Sequence, residues 1–193
     1  MRITGGSLGG RRIEVPDSKI PGFRPTMDFL REVIFSSLAS YTDFHEKSVL
    51  DLYAGTAIFS FESISRGASS SHIVEKNPAF CKKIEDNAAK LDVLSSLTME
   101  RKGVEKAHFN SAKYDLVFAD PPYQTVSFWD YYHLINSKNV LAEGAFLIYE
   151  DNSSEIGKVN AELIQEKSAE SLRLLKSKTI GSSGMIICKY LGK

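Results

Sequence analysis

The amino-acid sequence predicts an α/β fold built on a mostly parallel sheet with an antiparallel edge at its C-terminal end. From Lys47 onward, almost continuously apolar strand patterns alternate with helical patterns, as in parallel sheets that are covered on both faces. Residues suited to binding and catalysis follow directly after the strand patterns, where ligands bind in such sheets. The last two strand patterns are adjacent, which favours an antiparallel pair.

The composition excludes a protein that is basic throughout. The 193 residues include 24 Lys and Arg and 24 Asp and Glu, so any contact with nucleic acid must come from local patches. Both ends are locally basic: six basic against three acidic residues precede Glu32, and seven against three follow Gly157. The length suits one domain with a small appendage. The four histidines lack metal-ligand spacing, so no metal site is expected.

Three features of the sequence predict a cytoplasmic protein. Cys81 and Cys188 are too few for a disulfide framework, so we expect reduced, partly buried thiols. The N-terminal segment has no apolar run that would serve as a signal peptide. No stretch reaches the roughly 18 apolar residues that a membrane-spanning helix needs.

The elements are predicted in order along the chain. The alternating run at residues 12–15 predicts a strand in a hairpin, and Thr26 is placed to cap the helix that follows. The apolar face of this helix is predicted to hold Phe29, Val33, Ile34 and Leu38. Five strands are expected next, at residues 48–53, 71–75, 97–99, 114–120 and 144–150. Helices follow the first, second and fourth of them, and strands at residues 172–175 and 184–190 complete the order.

A cofactor loop is predicted after the first strand, which ends near Asp51. Three small residues let a ligand approach the backbone closely, Ala54, Gly55 and Thr56. Glu75 ends the second strand, where a ribose-binding acid is expected. A dehydrogenase is disfavoured, because the loop lacks the G-x-G-x-x-G pattern and Asp51 would repel a pyrophosphate. Asp51 suits the cationic amino group of a methionine moiety. The alternative that the loop is an ordinary strand–helix turn without a ligand also remains.

The tetrapeptide Asp120-Pro121-Pro122-Tyr123 is the most specific pattern in the chain. Its two prolines remove two backbone donors and stiffen the turn, so Asp120 and the Pro121 carbonyl are expected to act as fixed acceptors. Two such acceptors can hold the hydrogens of an exocyclic base amine and aim its lone pair at a methyl group. Tyr123 would stack on a base that is extruded or unpaired. The turn does not distinguish guanine from adenine. The alternative that the tetrapeptide is only a rigid surface turn also remains.

Six motifs follow one another in the order RITGGSLGGRRIEVP, GFRPTMDFLREVIFSSL, LDLYAGT, FESISRGA, VEKN and DLVFADPPY. With these motifs the chain resembles the RsmD-type bacterial 16S rRNA guanine-N2 methyltransferases, and the terminal strands fit too. The resemblance implies a Rossmann-like methyltransferase domain at residues 26–193 and a small β-hairpin extension at residues 1–25. It also implies S-adenosylmethionine as donor and a guanine of 16S rRNA or of the assembling small subunit as target. We further expect a monomer.

The resemblance further implies roles for particular residues. Those expected to line the cofactor are Asp51, Ala54, Gly55 and Thr56, with Glu75 on its ribose. Those expected to hold the target base are Asp120, Pro121, Pro122 and Tyr123. Two residues of the RPT motif are expected to border the cofactor or the RNA, Arg24 and Thr26. Three N-terminal arginines are expected to contact phosphates, Arg2, Arg11 and Arg12.

The chain departs from the family pattern at three places. Ala57 stands where the family has a glycine, an exchange that is disfavoured if this position needs a positive φ angle. No Gly-Asp pair follows the third strand, so Glu100 is only a candidate for the acid near the adenine. The DRVRE pattern reads DFLRE, with one arginine fewer. Two alternatives stay open: a methyltransferase for adenine N6 or another base amine, acting on DNA or another RNA, and a binding or assembly factor with a degenerate site.

Overall fold

The computed structural model describes residues 1–16, 28–109, 112–122, 125–165 and 171–192. The chain folds into two compact units, Met1–Ala107 and His108–Lys193. Three of the predicted site residues lie outside the described residues, Arg24, Thr26 and Tyr123. The predicted boundary between residues 25 and 26 lies there too, so the separate N-terminal extension stays a prediction.

The first unit contains three parallel strands, β1 (Ser48–Leu52), β2 (Ser70–Val74) and β3 (Leu97–Glu100), in the order β3-β2-β1. Every residue of β1 after Ser48 is buried, as expected for a parallel strand whose two faces are both covered. The apolar runs in the sequence predicted all three strands to within one residue at each end. Their parallel direction confirms this part of the predicted fold class.

Three helices belong to the same unit, α1 (Asp28–Tyr41), α2 (Ile58–Ser65) and α3 (Pro78–Leu91). A proline occupies the first turn of α3, and Asn77 caps this helix because its side-chain oxygen accepts the Ala79 N–H group. Gly67 follows the end of α2 with a φ angle of 110°, a conformation that favours glycine. The predicted start of α3 and the predicted stop after α2 are therefore confirmed.

The buried face of α1 differs from the predicted one. Leu30, Ile34 and Leu38 are fully buried, whereas Phe29, which was predicted to share their face, is 60% exposed. Successive helical residues are turned by about 100°, so a face centred on Leu30 and Ile34 directs Phe29 away from the core. The prediction for Phe29 is therefore wrong, and the predictions for Ile34 and Leu38 are confirmed.

Residues 1–16 form a short turn of chain with one isolated antiparallel bridge, between Arg2 and Arg12. Beyond the bridge, Asn87 of α3 pairs with both backbone groups of Glu14, at 2.8 Å each. Ile13 still exchanges backbone hydrogen bonds with Met1, and from Glu14 onward the chain follows α3 instead of a partner strand. The strand predicted at residues 12–15 is reduced to a single bridging residue for this reason.

A buried carboxylate holds the N-terminal segment, α1 and α2 together. Glu62 of α2 is fully buried and accepts hydrogen bonds from the backbone N–H (2.8 Å) and the hydroxyl (2.9 Å) of Thr4. It also pairs with the fully buried Arg31 of α1 at 2.9 Å, and with Arg66. Arg31 donates in addition to the Arg2 carbonyl oxygen at 2.7 Å. A buried charge is costly unless it is paired, so these groups depend on one another.

The last turn of α2 receives the glycine-rich part of the N-terminal segment. The Ser65 carbonyl oxygen accepts the Ser7 N–H group (2.6 Å), and the Ser65 hydroxyl accepts the Leu8 N–H group (2.9 Å). Gly6 has a φ angle of 75°, and a Cβ atom there would lie 1.9 Å from the Ser65 carbonyl oxygen. Only glycine combines this backbone angle with so close an approach.

The second unit contains four strands, β4 (Tyr114–Ala119), β5 (Leu141–Asn152), β6 (Leu172–Ile180) and β7 (Ser183–Tyr190), in the order β4-β5-β7-β6. β4 and β5 are parallel, whereas β7 is antiparallel to both β5 and β6. The predicted antiparallel edge is confirmed. β6 is longer than predicted, because a bulge between Leu174 and Lys176 interrupts the alternation by which a strand is recognised.

Two helices belong to this unit, α4 (Phe128–Ser137) and α5 (Ser153–Gln165), and only α4 was predicted. The side-chain oxygen of Asn152 caps α5 by accepting the N–H groups of Ser154 and Glu155, both at 3.1 Å. Ile156 and Val159 are its buried hydrophobic residues. Ile156, Val159 and Leu163 have the i, i+3, i+7 spacing of a helix, so the sequence carries a helical pattern for α5 that was overlooked.

The two cysteines are buried and unbonded, as predicted. Burial raises the pKa of the Cys188 thiol to about 12, so this thiol stays protonated at neutral pH. Burial is also the main cause that raises the pKa of Cys81. Across the described residues, no helix is long and apolar enough to cross a membrane.

Replacing Glu62 by Ala is expected to destabilise the protein by about 3–5 kcal/mol, because the buried Arg31 guanidinium loses its buried partner and keeps only the exposed Asp28 carboxylate as an ionic partner. Urea denaturation followed by circular dichroism measures this change. Glu32, on the exposed side of α1, offers a matched control, and Glu32→Ala is expected to change the free energy of unfolding by less than about 0.5 kcal/mol. Equal effects of the two substitutions would contradict the role given to Glu62.

Candidate active site

The loop after β1 has an unusual backbone. Tyr53, Gly55 and Ala57 have φ angles of 56°, 52° and 55°, all in the left-handed region. A residue other than glycine costs on the order of 1–2 kcal/mol in this region, and such residues cluster at ligand sites. Ala57 therefore adopts a conformation that glycine adopts without strain, and the alanine side chain places strain in the loop.

Glu75 ties this loop to the end of β2. One of its carboxylate oxygens accepts the Gly55 N–H group and the other accepts the Asn77 N–H group, both at 2.7 Å. A carboxylate oxygen can accept more than one hydrogen bond, so Glu75 keeps capacity for the two hydroxyls of a ribose. The residue is 8% exposed, and its position is fixed by backbone donors from two loops. This arrangement fits a cofactor that contains adenosine.

Ala54 and Thr56, also predicted to line the cofactor, are buried. The Ala54 N–H group donates to the Val74 carbonyl oxygen at 3.2 Å, which joins the loop to the end of β2. The Thr56 hydroxyl donates to the Met1 sulfur at 3.5 Å. The small side chain of Ala54 leaves the loop backbone, rather than a side chain, to meet a ligand.

Asp51 is directed toward α2. One of its carboxylate oxygens accepts the backbone N–H group (3.1 Å) and the hydroxyl (2.6 Å) of Ser60, and the Ser71 hydroxyl donates to the Ser60 hydroxyl at 2.9 Å. Ser60 lies in the first turn of α2, where backbone N–H groups lack partners within the helix. Asp51 thus caps α2 from a neighbouring strand. Its predicted contact with the amino group of a methionine moiety stays a prediction.

Glu100 ends β3, near the place where an acid that binds the adenine is expected. Its carboxylate lies 3.2 Å from the His72 imidazole and 2.8 Å from the Lys102 ammonium group. Burial lowers the pKa of His72, and the neighbouring Glu100 carboxylate opposes this shift. Two basic side chains already contact Glu100, so the acid near the adenine stays unassigned.

The turn after β4 lies in the second unit. Asp120 is half-buried, Pro121 is buried and Pro122 is exposed, and the Thr125 N–H group donates to the Pro122 carbonyl oxygen at 3.1 Å. Among the described residues, no donor is hydrogen-bonded to the Pro121 carbonyl oxygen. The turn therefore satisfies the Pro122 carbonyl group internally, and the predicted role of the Pro121 carbonyl oxygen as an acceptor for an amine stays a prediction. Tyr123 lies outside the described residues.

The sequence analysis did not identify the residues of β5 that hold the segment after this turn. The Tyr149 hydroxyl lies 2.8 Å from the Val126 carbonyl oxygen and 2.8 Å from an oxygen of Asp151. The other carboxylate oxygen of Asp151 accepts the backbone N–H group of Asn152 at 2.6 Å and its side-chain N–H group at 2.8 Å. β5 thus holds the segment at residues 125–127 through its own side chains. A tyrosine and an aspartate two residues apart at the end of β5 were the available signal.

The three N-terminal arginines that are expected to contact RNA are exposed, Arg2, Arg11 and Arg12. The Arg11 guanidinium donates to the Lys90 carbonyl oxygen at 3.3 Å, at the C-terminal end of α3, where a cation is favourable. Glu14 pairs with Lys83 at 2.9 Å and with Lys90, and these two ammonium groups lower the pKa of Glu14 to about 2. The contact of the three N-terminal arginines with RNA phosphates stays a prediction.

The comparisons with known proteins agree on one family. The sequence matches the family described as Conserved hypothetical protein 95 over residues 1–189. It is 31% identical over 157 residues to the Ribosomal RNA small subunit methyltransferase D of Escherichia coli K12, covering 81% of this chain and 77% of that protein. The Haemophilus influenzae protein of the same name is 28% identical over 185 residues, covering 94% and 89%.

A solved structure confirms the predicted fold class. The structure described as "Putative methyltransferase yhhF" from Escherichia coli aligns with this chain at a TM-score of 0.82. The alignment covers 100% of this chain and 99% of the other at 23% sequence identity. The two proteins therefore share one fold.

Replacing Ala57 by Gly is expected to leave the free energy of unfolding unchanged or to raise it by up to about 1 kcal/mol. Relief of the left-handed conformation offsets the larger backbone entropy of glycine in the unfolded chain. Ala89, exposed within α3, provides the control, since Ala89→Gly is expected to cost about 1 kcal/mol. Urea denaturation compares the two variants, and an equal loss in both would show that position 57 is not strained.

Proposed function

The chain belongs to the family described as Conserved hypothetical protein 95, and we propose that it transfers a methyl group from S-adenosylmethionine to the N2 amine of a guanine in small-subunit (16S) ribosomal RNA. Relatives named Ribosomal RNA small subunit methyltransferase D support the substrate class. The turn at residues 120–122 is the observation that carries the choice of an amine as acceptor. We also propose that the protein is a monomer and that it acts in the cytoplasm.

Bound S-adenosylmethionine supplies an electrophilic methyl group on a sulfonium centre. Glu75 receives the ribose hydroxyls, since its carboxylate is already oriented by the Gly55 and Asn77 N–H groups. The Ala54–Gly55–Thr56 segment offers backbone without bulky side chains, so the cofactor can lie close to the loop. The loop carries strain before any ligand binds, which fits a backbone that is preorganised for its ligand.

The guanine amine is a weak nucleophile, because its lone pair is delocalised into the base. In our proposal the Asp120 carboxylate and the Pro121 carbonyl oxygen each accept one hydrogen of this amine. Holding both hydrogens pyramidalises the nitrogen and aims its lone pair at the methyl carbon. The N–C bond forms as the S–C bond breaks, and only then does the amine become acidic enough to release a proton to Asp120. Tyr123 stacks on the extruded base.

No observation favours the binding or assembly factor with a degenerate site. Such a factor would have no reason to retain the strained loop at Tyr53, Gly55 and Ala57, nor the Glu75 carboxylate that is bonded to the loop backbone. The adenine-N6 alternative shares the same turn, so the methylated nucleoside itself separates it from the proposal. The strain at Ala57 bears on cofactor affinity and leaves the reaction class unchanged.

Replacing Asp120 by Ala is expected to lower kcat by about 10²–10³-fold, because one of the two acceptors that orient the amine is lost. The dissociation constant for S-adenosylmethionine, measured by calorimetry, is expected to stay within about twofold, since the predicted cofactor residues belong to another loop. Glu143→Ala, an exposed site on β5, serves as the control and should leave kcat unchanged. Substantial turnover by the Asp120 variant would remove Asp120 from the reaction.

A further inference from the structure

The C-terminal hairpin is strongly basic in a chain that has no net charge. From Ser171 to Lys193 the sequence holds five basic residues and no acidic one. Four of the five lie in β6 and β7, which are Arg173, Lys176, Lys178 and Lys189. Within the described part of the chain, none of these four forms an ion pair with a carboxylate.

The bulge in β6 places these cations on one face of the sheet. In β7, Lys189, Ile187 and Met185 point to the same face, because they are two residues apart. Their partners across the pair are Arg173, Lys176 and Lys178, which therefore point to that face as well. Arg173 and Lys176 are three residues apart and would face opposite sides in a regular strand. The extra residue of the bulge, Leu175, brings them to the same side.

The opposite face of the hairpin is occupied by α5. Thr179 and Gly184 are register partners on that face, and a Cβ atom at Gly184 would lie 3.2 Å from Ile156 of α5. The cations are thus directed away from α5. Arg173 and Lys178 are exposed, and Lys176 is half-buried. The Lys189 ammonium group lies over the Phe146 ring at 5.8 Å. We call Arg173, Lys176 and Lys178 the β6 cation row, and Lys189 of β7 lies beside it.

The row leads toward the edge of the sheet that carries the Asp120 turn. β4 is parallel to β5, and β6 is parallel to β5 because both are antiparallel to β7. The carboxyl ends of β4 and β6 therefore lie at one edge. Three interstrand spacings separate these two strands, which corresponds to about 14 Å. Consecutive cations of the row lie about 7–10 Å apart along the strand, a spacing that suits successive backbone phosphates.

We propose that the β6 cation row binds the phosphate backbone of the substrate RNA next to the nucleotide whose base enters the Asp120 turn. This inference rests on the proposed function and extends it to a second contact surface besides the N-terminal arginines. Lysine and arginine side chains on one face give a sequence-independent, salt-dependent contact of the kind that positions a nucleic acid. Because the net charge is zero, RNA binding has to come from local basic patches, of which this row is one.

The competing explanation is protection of a sheet edge. β6 is the last strand in the order, and edge strands often carry lysines that prevent pairing with other chains. Edge protection needs charge but does not require that the charges share a face. The bulge aligns them on one face, as a phosphate contact requires.

The test compares a row variant, R173Q/K176Q/K178Q, with K106Q/K138Q/K158Q, which removes the same charge at exposed positions elsewhere. Affinity for an unmodified small-subunit rRNA transcript is measured over a series of salt concentrations. The row variant is expected to bind at least about tenfold more weakly at low salt and to lose about three from the slope of log affinity against log salt. The control variant and the charge-conserving R173K/K176R/K178R variant are expected to keep the slope of the unmodified protein.

An unchanged salt slope in the folded row variant overturns the inference. If the row variant does not fold, the single variant K178Q decides, because it should lose about one from the slope. Failure of the unmodified protein to bind or methylate rRNA would overturn the proposed function and the inference together. Methylation by the unmodified protein with an unchanged slope in the row variant would overturn the inference alone.

Discussion

The structure of the first unit depends on the buried Glu62 carboxylate. Four donors converge on it, from the backbone and hydroxyl of Thr4, from Arg31 and from Arg66. Glu62 and Arg31 are both fully buried, whereas their other ionic partners, Arg66 and Asp28, are more exposed, so each of the two charges depends mainly on the other. This single group therefore fixes the N-terminal segment against α1 and α2. α2 is also the helix that follows the strained loop at Ala57.

In each unit, side chains at the carboxyl ends of strands are held by hydrogen bonds. In the first, Asp51 caps α2 and Glu75 joins two loops, so the acids at the ends of β1 and β2 act on the backbone that would receive a cofactor. In the second, the turn after β4 is followed by a segment that Tyr149 and Asp151 hold from β5. Carboxyl ends of parallel strands supply each group, which is where such sheets bind ligands.

The strands and the strand-end residues could be predicted from the sequence, because buried parallel strands leave continuous apolar runs and Asp120-Pro121-Pro122 is a rare pattern. α5 was predictable too, since Ile156, Val159 and Leu163 have helical spacing, but it was not predicted. The Glu62–Arg31 pair and the role of Tyr149 depend on contacts between residues distant in sequence, which periodicity does not report. In the sequence, the strain at Ala57 was visible only as a departure from the family pattern, and the φ angle of 55° shows the conformation that this residue adopts.

Methyl transfer from isotopically labelled S-adenosylmethionine tests the central claim most directly. The acceptors are unmodified small ribosomal subunits and deproteinised rRNA, and the product is identified by nucleoside mass spectrometry. The account predicts labelled N2-methylguanosine in the small-subunit RNA, and the better acceptor shows whether the protein acts before or after assembly. Labelled N6-methyladenosine, or no transfer to either acceptor by protein that binds the cofactor, would contradict it.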